Sequence, residues 1–307
     1  MSKKIILDTD LGDDIDDALA LLFLLKFDAE LIGVTTVFRN TPLRARLAKR
    51  ILSLAGRGGI PVYAGYGKPL AANADETAVF VQYTPELESE EYAPDNRDER
   101  NGAEAAEFLL RAARKYGGQL TILAIGPYTN LAKAYLSDPS AFDGCNIVLM
   151  GGCFYEQFIE YNAAMDPEAC DVLLRSDLPL KFIGADVTWK AQLDDEQTAA
   201  VLALGAPGLT GYCAQLVRLW KKECWFNPVL HDPLAAYFVT DESVCEMEEV
   251  WTEIELKGEH TRGMTANMDH FYKYLEHKTE GKRRVLCAKR VDEKRFIRIF
   301  LEKTFGL

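Results

Sequence analysis

The sequence predicts an α/β fold: a single domain with a mostly parallel, Rossmann-like central sheet flanked by helices, plus a helical C-terminal part. Short β-rich runs alternate with segments of helical periodicity through the first two thirds of the 307 residues. Several of these runs are almost wholly apolar, which is typical of parallel strands covered on both faces. No internal repeat or low-complexity linker divides the chain, so residues 1–307 are expected to form one domain.

The predicted strands are residues 5–7, 31–38, 120–125, 147–150 and 180–183, and helices are predicted at 43–55, 103–116, 131–136 and 168–175. Beyond residue 193 the pattern predicts helices at 193–204 and 209–225, strands at 250–256 and 284–289, and a last helix at 292–305. Residues 68–100 are acidic and aperiodic, which is typical of a long loop or lid. Right-handed crossovers would gather the carboxyl ends of the strands at one edge, where sites form in such sheets.

Composition and charge exclude several classes of partner. The formal charge is -12, from 35 basic against 47 acidic residues, so the protein repels polyanions and anionic membranes. The longest apolar run, residues 18–25, is far shorter than the roughly 20 residues that span a bilayer. Seven cysteines without a CxxC pair support neither a zinc knuckle nor a complete disulfide framework. We therefore expect a soluble, reduced, cytoplasmic protein with a small-molecule partner.

An acidic turn follows the first predicted strand. Six carboxylates lie between the end of this strand and the start of the next helix: Asp8, Asp10, Asp13, Asp14, Asp16 and Asp17. Helix capping, worth about 0.3–1 kcal/mol for each aspartate, explains one or two of them. Crowded carboxylates beside apolar residues have raised pKa values unless a cation is present, and Ca²⁺ takes roughly 6–8 oxygen ligands. The turn therefore predicts a metal site.

Two familiar motifs fit this turn poorly. In an EF-hand counted from Asp8, the sixth residue would be glycine and the twelfth glutamate, but they are Asp13 and Leu19. A haloacid-dehalogenase-like phosphatase would use Asp8 as nucleophile and Asp10 as acid/base. Leu11-Gly12 and the surplus of downstream aspartates count against that alternative, which stays open at this point.

The sequence DTDLGDDIDDALAL at 8–21 resembles the DxDxGxDD signature of the inosine-uridine preferring nucleoside hydrolase family. Further family-like motifs follow in order: GVTTV at 33–37, AIGPYTNLA at 124–132, MGG at 150–152, EYN at 160–162 before DPEA at 166–169, and HDP at 231–233. Any one of them is weak, but the ordered set covers nearly the whole chain. The resemblance implies one nucleoside hydrolase-like domain over residues 1–307.

The resemblance also implies a Ca²⁺ ion held by the acidic turn and by distant residues. Asp10 matches the first ligand and the catalytic base, Asp17 a second ligand and Asp232 the ligand that completes the shell. Ile125 is implied to bind the ion through its backbone oxygen, for which an apolar side chain is no obstacle.

For the ribose, the resemblance implies contacts from Asp16, Glu160 and Asn162, together with Met150 at the preceding strand end. Two extra residues after Gly12 make Asp14 a competitor of Asp16 for the sugar. A helix-capping turn before Pro167 is the competing explanation of the glutamate and the asparagine.

Two further matches concern the sugar and the leaving base. Asn40 matches a sugar-contacting asparagine, although Arg39 replaces the usual glycine beside it. His231 is implied to contact and protonate the leaving base, whereas the residues alone also fit a helix-start histidine without a chemical role.

The substrate side departs from the family pattern. Between Tyr66 and Asn101 the usual His-Gly-rich stretch is missing, and the chain offers Phe80, Gln82, Tyr83 and Tyr92 instead. A second group of aromatic residues has helical spacing, which is more typical of core positions: Trp220, Trp225, Phe226, Tyr237, Phe271 and Tyr272.

The function implied is Ca²⁺-dependent hydrolysis of the N-glycosidic bond of ribonucleosides, releasing nucleobase and ribose through attack by metal-bound water. The family implies a homodimer or homotetramer. The non-enzymatic alternative is a nucleoside- or ribose-binding protein that keeps the metal site but turns over little substrate.

Overall fold

The computed structural model describes residues 3–27, 30–71, 80–205, 207–275, 279 and 282–307. The strands in these ranges are β1 (Lys4–Thr9), β2 (Glu30–Thr36), β3 (Val62–Ala64), β4 (Leu120–Ala124), β5 (Asn146–Met150), β6 (Leu180–Ile183), β7 (Cys245–Ile254), β8 (Thr265–Asn267) and β9 (Arg284–Val291). The helices are α1 (Asp16–Lys26), α2 (Thr41–Leu54), α3 (Ala103–Tyr116), α4 (Thr129–Ser137), α5 (Tyr161–Met165), α6 (Pro167–Leu174), α7 (Ala185–Thr188), α8 (Asp195–Ala203), α9 (Leu209–Glu223), α10 (His231–Thr240), α11 (Asp269–Tyr272) and α12 (Glu293–Phe305). Part of the predicted acidic loop, residues 72–79, lies outside the described ranges.

These strands form one mixed sheet in the order β3-β2-β1-β4-β5-β6-β9-β7-β8. All pairs from β3 across to β9 are parallel, and β7 runs antiparallel to both β9 and β8. The predicted α/β class with a mostly parallel sheet is confirmed. The prediction missed β3 and β8 because three residues are too short to show a period.

Helices cover both faces of the sheet, as the apolar strands predict. One core layer contains residues of α1, α2, α9, α10 and α12, and the opposite layer contains residues of α3, α4 and α6. In α1 every residue from Asp16 to Leu24 is buried, because α10 and α12 pack over it. The two aspartates that begin this helix are therefore held away from solvent.

No helix among the described residues has both the length and the apolarity needed to cross a membrane.

Substitution of Gly33 tests the packing of α3 on the sheet. A Cβ atom at this position of β2 would lie 2.3 Å from the ring of Phe108 in α3. Gly33→Ala should therefore lower the free energy of unfolding by about 1–3 kcal/mol, the usual cost of overpacking. Gly59→Ala is the matched control, because a Cβ there meets nothing within 4 Å. Urea denaturation measures both variants, and equal stability of the two would contradict the packing described.

Candidate active site

A cavity of about 640 Å³ opens at the carboxyl edge of the sheet. Asp10 follows β1, Ile125 follows β4 and Met150 ends β5, so three neighbouring strands deliver residues to its wall. The described residues that line it are Asp10, Asp13, Asp14, Asp16, Asp17, Ile125, Met150, Phe158, Ile159, Glu160, Tyr161, Asn162, Ala164, Met165, Trp189, Trp220, Cys224, Phe226, Val229, His231 and Asp232. The site thus forms where the crossover rule places it.

The cavity brings together most of the residues that the sequence singled out: Asp10, Asp14, Asp16, Asp17, Ile125, Met150, Glu160, Asn162, His231 and Asp232. Asn40 is the exception, since it is exposed and absent from the cavity wall. Its side chain accepts a hydrogen bond from the Leu43 amide at 3.2 Å and so caps α2. The structure thus shows Asn40 as the cap of α2, and its expected contact with the sugar stays a prediction.

Three carboxylates converge in this cavity. Asp16, Asp17 and Asp232 are buried, and one oxygen of each lies within 4.8 Å of the others. The packing of α10 on α1 brings Asp232 to the cluster, where its backbone amide donates to Asp16 Oδ2 at 3.3 Å. The Thr9 hydroxyl donates to Asp17 and orients it. The cluster is thus built from chain segments more than 200 residues apart.

Burial makes these carboxyl groups hard to ionise. It raises the pKa of Asp10 to about 7, and it raises the pKa values of Asp16, Asp17 and Asp232 well above their ordinary range. Repulsion from neighbouring carboxylates adds to the effect of burial at all three of the latter residues. An oxygen-rich, dry and negatively charged cluster of this kind fits a hard divalent cation, which compensates the buried charge.

A buried arginine fixes the backbone of the acidic turn. The Arg44 side chain is 1% exposed and donates to the carbonyl oxygens of Phe38 at 2.8 Å and Leu11 at 2.9 Å, and also to that of Asp10. Its Nη2 pairs with Asp13 Oδ2 at 2.7 Å. The Asp13 carboxylate is therefore engaged in an ion pair with Arg44. The sequence analysis missed Arg44, although its position on the buried face of α2 was a signal.

The structure separates Asp14 from Asp16. Asp16 is buried beside Asp17, whereas Asp14 is exposed at the cavity wall and accepts hydrogen bonds from the Ile15 amide at 2.6 Å and from the Trp220 side chain. Both therefore line the cavity, but Asp16 alone of the two belongs to the carboxylate cluster.

Glu160 and Asn162 both cap a helix and line the cavity. The Glu160 carboxylate accepts hydrogen bonds from the amides of Gly152 and Asn162, each at 2.8 Å, and so holds the start of α5. The Asn162 side chain donates to the Ile125 carbonyl oxygen at 2.7 Å and to that of Met150 at 3.3 Å. Because each side chain is only 5% exposed, and that toward the cavity, capping and substrate contact are compatible.

His231 lies at the start of α10 and faces the cavity. Its Nδ1 is 2.6 Å from the hydroxyl oxygen of Thr188, and its ring meets the indole of Trp189 edge to face at 4.9 Å. Burial lowers the pKa of His231 to about 4, so the ring is neutral at physiological pH. A neutral imidazole donates one hydrogen bond and accepts another.

The aromatic residues predicted to replace the missing family stretch do not line the cavity. Phe80 packs on Gly12, and the backbone amide of Gln82 donates to the Gly12 carbonyl oxygen at 3.0 Å. Tyr83 contacts Glu88, and Tyr92 contacts Arg50. The segment beginning at Phe80 therefore supports the acidic turn from behind.

Other aromatic residues form the apolar part of the wall: Phe158, Trp189, Trp220 and Phe226. Trp220 and Phe226 fit the predicted helical spacing, yet they also reach the cavity. The sequence analysis missed Trp189. Its position shortly after β6, at the carboxyl edge of the sheet, was the available signal.

The comparisons with known proteins agree with this geometry. The sequence model described as "Inosine-uridine preferring nucleoside hydrolase" matches residues 5–298. The chain belongs to this family. It is 33% identical to the pyrimidine-specific ribonucleoside hydrolase RihA of Shewanella woodyi, over 87% of this chain and 88% of the relative. It is 32% identical to uridine nucleosidase 1 of Arabidopsis thaliana, over 83% and 79%.

A solved structure extends the likeness to three dimensions. The purine-preferring ribonucleoside hydrolase of Gardnerella vaginalis superposes with a TM-score of 0.81 at 27% identity, covering 99% of this chain and 98% of that one. The predicted family and enzyme class, an N-glycosyl hydrolase, are confirmed.

Asp10 and the neighbouring carboxylate cluster predict that metal-free protein loses stability as the pH rises. Because the pKa of Asp10 is about 7 when folded, against an ordinary value of 3.8, the folded state binds more protons between these values. This stabilisation is complete below about pH 4 and is lost as the pH rises through 7. Thermal unfolding in a chelator should give a Tm several degrees lower at pH 8 than at pH 5, and added Ca²⁺ should restore it at pH 8.

Asp17→Asn is the matched variant, since it removes one carboxylate and leaves an amide of similar size. In the presence of a chelator, the Tm of this variant should fall less with pH than that of wild type. Added Ca²⁺ should also raise its Tm less. A Tm in chelator that is constant or rising from pH 5 to pH 8 would contradict the described burial of the cluster.

Proposed function

We propose that this protein hydrolyses the N-glycosidic bond of ribonucleosides in a Ca²⁺-dependent reaction and releases a nucleobase and ribose. One observation carries the proposal: a single cavity joins the buried carboxylate cluster to polar groups suited to a sugar and to an imidazole with aromatic neighbours. Family membership supports the same chemistry. From the family resemblance we also propose that the whole chain forms one domain. We further propose that the protein is cytoplasmic and assembles as a homodimer or homotetramer.

The residues proposed to hold the cation are Asp10, Asp17, Asp232 and the carbonyl oxygen of Ile125. Their oxygens suit Ca²⁺, and their raised pKa values reflect buried charge that a cation offsets. When bound, the ion acidifies and orients a water molecule and binds hydroxyl groups. The contact between the Ile125 carbonyl oxygen and the Asn162 amide supports this arrangement, because it ties a ligand to the sugar side of the cavity.

The ribose is proposed to lie between the carboxylate cluster and α5. The carboxylates of Asp16 and Glu160 accept hydrogen bonds from its hydroxyl groups, and the Asn162 amide donates. Asp14 and Met150 complete this part of the wall. Because several buried polar groups fix the sugar on binding, less entropy remains to be lost on reaching the transition state.

Asp10 is proposed as the base that takes a proton from the attacking water. It directly follows β1, and the Arg44 guanidinium holds its backbone in place. The same guanidinium lowers the pKa of Asp10 against the effect of burial. Arg44 therefore favours the ionised carboxylate that a general base requires.

His231 is proposed to stabilise the departing base. Because its pKa is about 4, the free protein holds it as a neutral ring, which acts as a hydrogen-bond donor rather than as a preformed cationic acid. If the Thr188 hydroxyl donates to Nδ1, the proton resides on Nε2. That donor then meets the negative charge that develops on the leaving nucleobase.

The phosphatase alternative has no support in the geometry. Asp8 is fully buried, does not line the cavity, and accepts hydrogen bonds from Thr35 at 2.6 Å and Asn130 at 2.7 Å. A nucleophile needs access to its substrate, which Asp8 lacks here. No lysine is among the described residues that line the cavity.

A screen for sugar release tests the proposed function. Purine and pyrimidine ribonucleosides should yield reducing sugar with Ca²⁺, and chelation should abolish the reaction. Asp10→Asn should lower kcat more than Asp16→Asn, because Asp10 serves as both ligand and base. Asp171→Asn, which breaks only the surface ion pair with Arg175, is the matched control and should keep wild-type activity.

Full turnover after exhaustive chelation would refute the metal dependence. Tight nucleoside binding without sugar release would instead identify a binding protein. A larger loss at Asp14→Asn than at Asp16→Asn would reverse the assignment of these two residues.

The role of His231 gives a second test. His231→Ala should lower kcat for natural nucleosides by about 10²–10³-fold, the usual effect of removing a donor to developing charge. It should leave p-nitrophenyl riboside nearly unaffected, because that leaving group departs without a proton. Steady-state kinetics on both substrates measures the contrast, and equal losses on the two would contradict a leaving-group role.

A further inference from the structure

Large apolar side chains are exposed around the cavity. Four such residues among those described line it and are 40–48% exposed: Phe158, Ile159, Tyr161 and Trp189. Exposed apolar side chains grouped at one place mark a binding surface more often than a chance arrangement. Since they share a cavity with the residues proposed for the sugar, the ligand that covers them is part of the same substrate.

Trp189 is the largest member of this group. Its ring meets His231 at 4.9 Å with an interplanar angle of 86° and Phe158 at 6.2 Å with an angle of 89°. Both contacts are perpendicular, so neither partner is stacked on the indole. With 48% of Trp189 exposed, aromatic surface remains available beside the imidazole that faces the leaving base.

We propose that the nucleobase of the substrate stacks on Trp189, with Phe158 as a second wall of the base site. The inference rests on the proposed function and names the residues that bind the leaving group. A planar heteroaromatic ring is the chemical class that fits, because it offers a π face to the indole and edge atoms to His231. Purine and pyrimidine bases share this chemistry.

Asp186 connects the two walls and holds them in place. It lies in α7, the short helix that ends one residue before Trp189. Its carboxylate accepts hydrogen bonds from the backbone amides of Phe154 at 2.7 Å, Tyr155 at 2.8 Å and Glu156 at 3.0 Å. The segment two residues before Phe158 is thereby fixed to the helix that directly precedes Trp189, which reduces the ordering that binding requires.

The base site has few polar side chains. Beyond the carboxylates and the sugar-side residues, His231 is accompanied by apolar or weakly polar neighbours in the described wall: Phe158, Ile159, Trp189, Trp220, Cys224, Phe226 and Val229. Stacking is tolerant of base identity because every base has a π face. Loss of Trp189 should therefore weaken the binding of purine and pyrimidine nucleosides alike.

The experiment compares wild type with Trp189→Ala, Trp189→Phe and Trp225→Ala. Trp225 is 90% exposed and absent from the cavity wall, which makes it the matched control. Trp189→Ala should raise KM for inosine and uridine by about 10- to 100-fold, with a smaller change in kcat, as expected for the loss of one stacking contact. Trp189→Phe should stay within about threefold of wild type, because it keeps an aromatic face.

Inhibition by free ribose separates stacking from general damage. The ribose inhibition constant should be the same in Trp189→Ala and wild type, because the sugar does not reach the indole. An unchanged KM in Trp189→Ala, or a KM and a ribose inhibition constant that rise together, would overturn the inference.

Quenching of tryptophan fluorescence by inosine tests stacking separately from the proposed function, because it measures binding without requiring sugar release. Should wild type release no sugar from any nucleoside, the proposed function fails, and quenching then decides the stacking inference. Quenching in wild type and in Trp225→Phe that disappears in Trp189→Phe supports stacking. Absence of quenching in wild type, or quenching that persists in Trp189→Phe, overturns it.

Discussion

Carboxylates that are buried together destabilise a fold unless their charge is compensated, and this constraint organises the carboxyl edge of the sheet. Helix α1 begins with two buried aspartates, and α10 adds Asp232 to them. The surrounding chain is arranged to hold the cluster without neutralising it: Arg44 bonds the turn's carbonyl oxygens, and the segment at Phe80 packs behind Gly12. The carboxylate cluster is therefore as much a property of the core as of the cavity surface.

The sequence predicted the α/β class and the position of the site because both follow from local patterns. Apolar runs of strand length identify the parallel strands, and six carboxylates after the first run identify the acidic turn. Asp232 was found only through the family resemblance, since its approach to the cluster depends on the packing of α10 against α1. Periodicity within a helix does not contain that information.

Three residues show what local sequence patterns leave out. Asn40 was matched to the sugar, but a residue before a helix has a competing capping role, and the structure shows the capping bond. Arg44 was missed because arginine is mostly exposed in proteins and α2 contains two more, Arg46 and Arg50. Trp189 was missed because it belongs to no motif, and its position beside His231 depends on the short helix α7.

The anchoring of the loop at 154–156 by α7 affects which parts of the cavity wall can change independently. Asp186 anchors residues 154–156 through their backbone amides and also accepts from the Cys153 thiol, so the anchor does not depend on which side chains follow at 158 and 159. None of these bonds involves the carboxylates of the acidic turn. Phe158 and Ile159, which follow this anchor and are exposed at the cavity wall, can therefore change by single mutations while the buried carboxylates stay as they are, so the apolar side of the cavity can vary independently of the acidic turn.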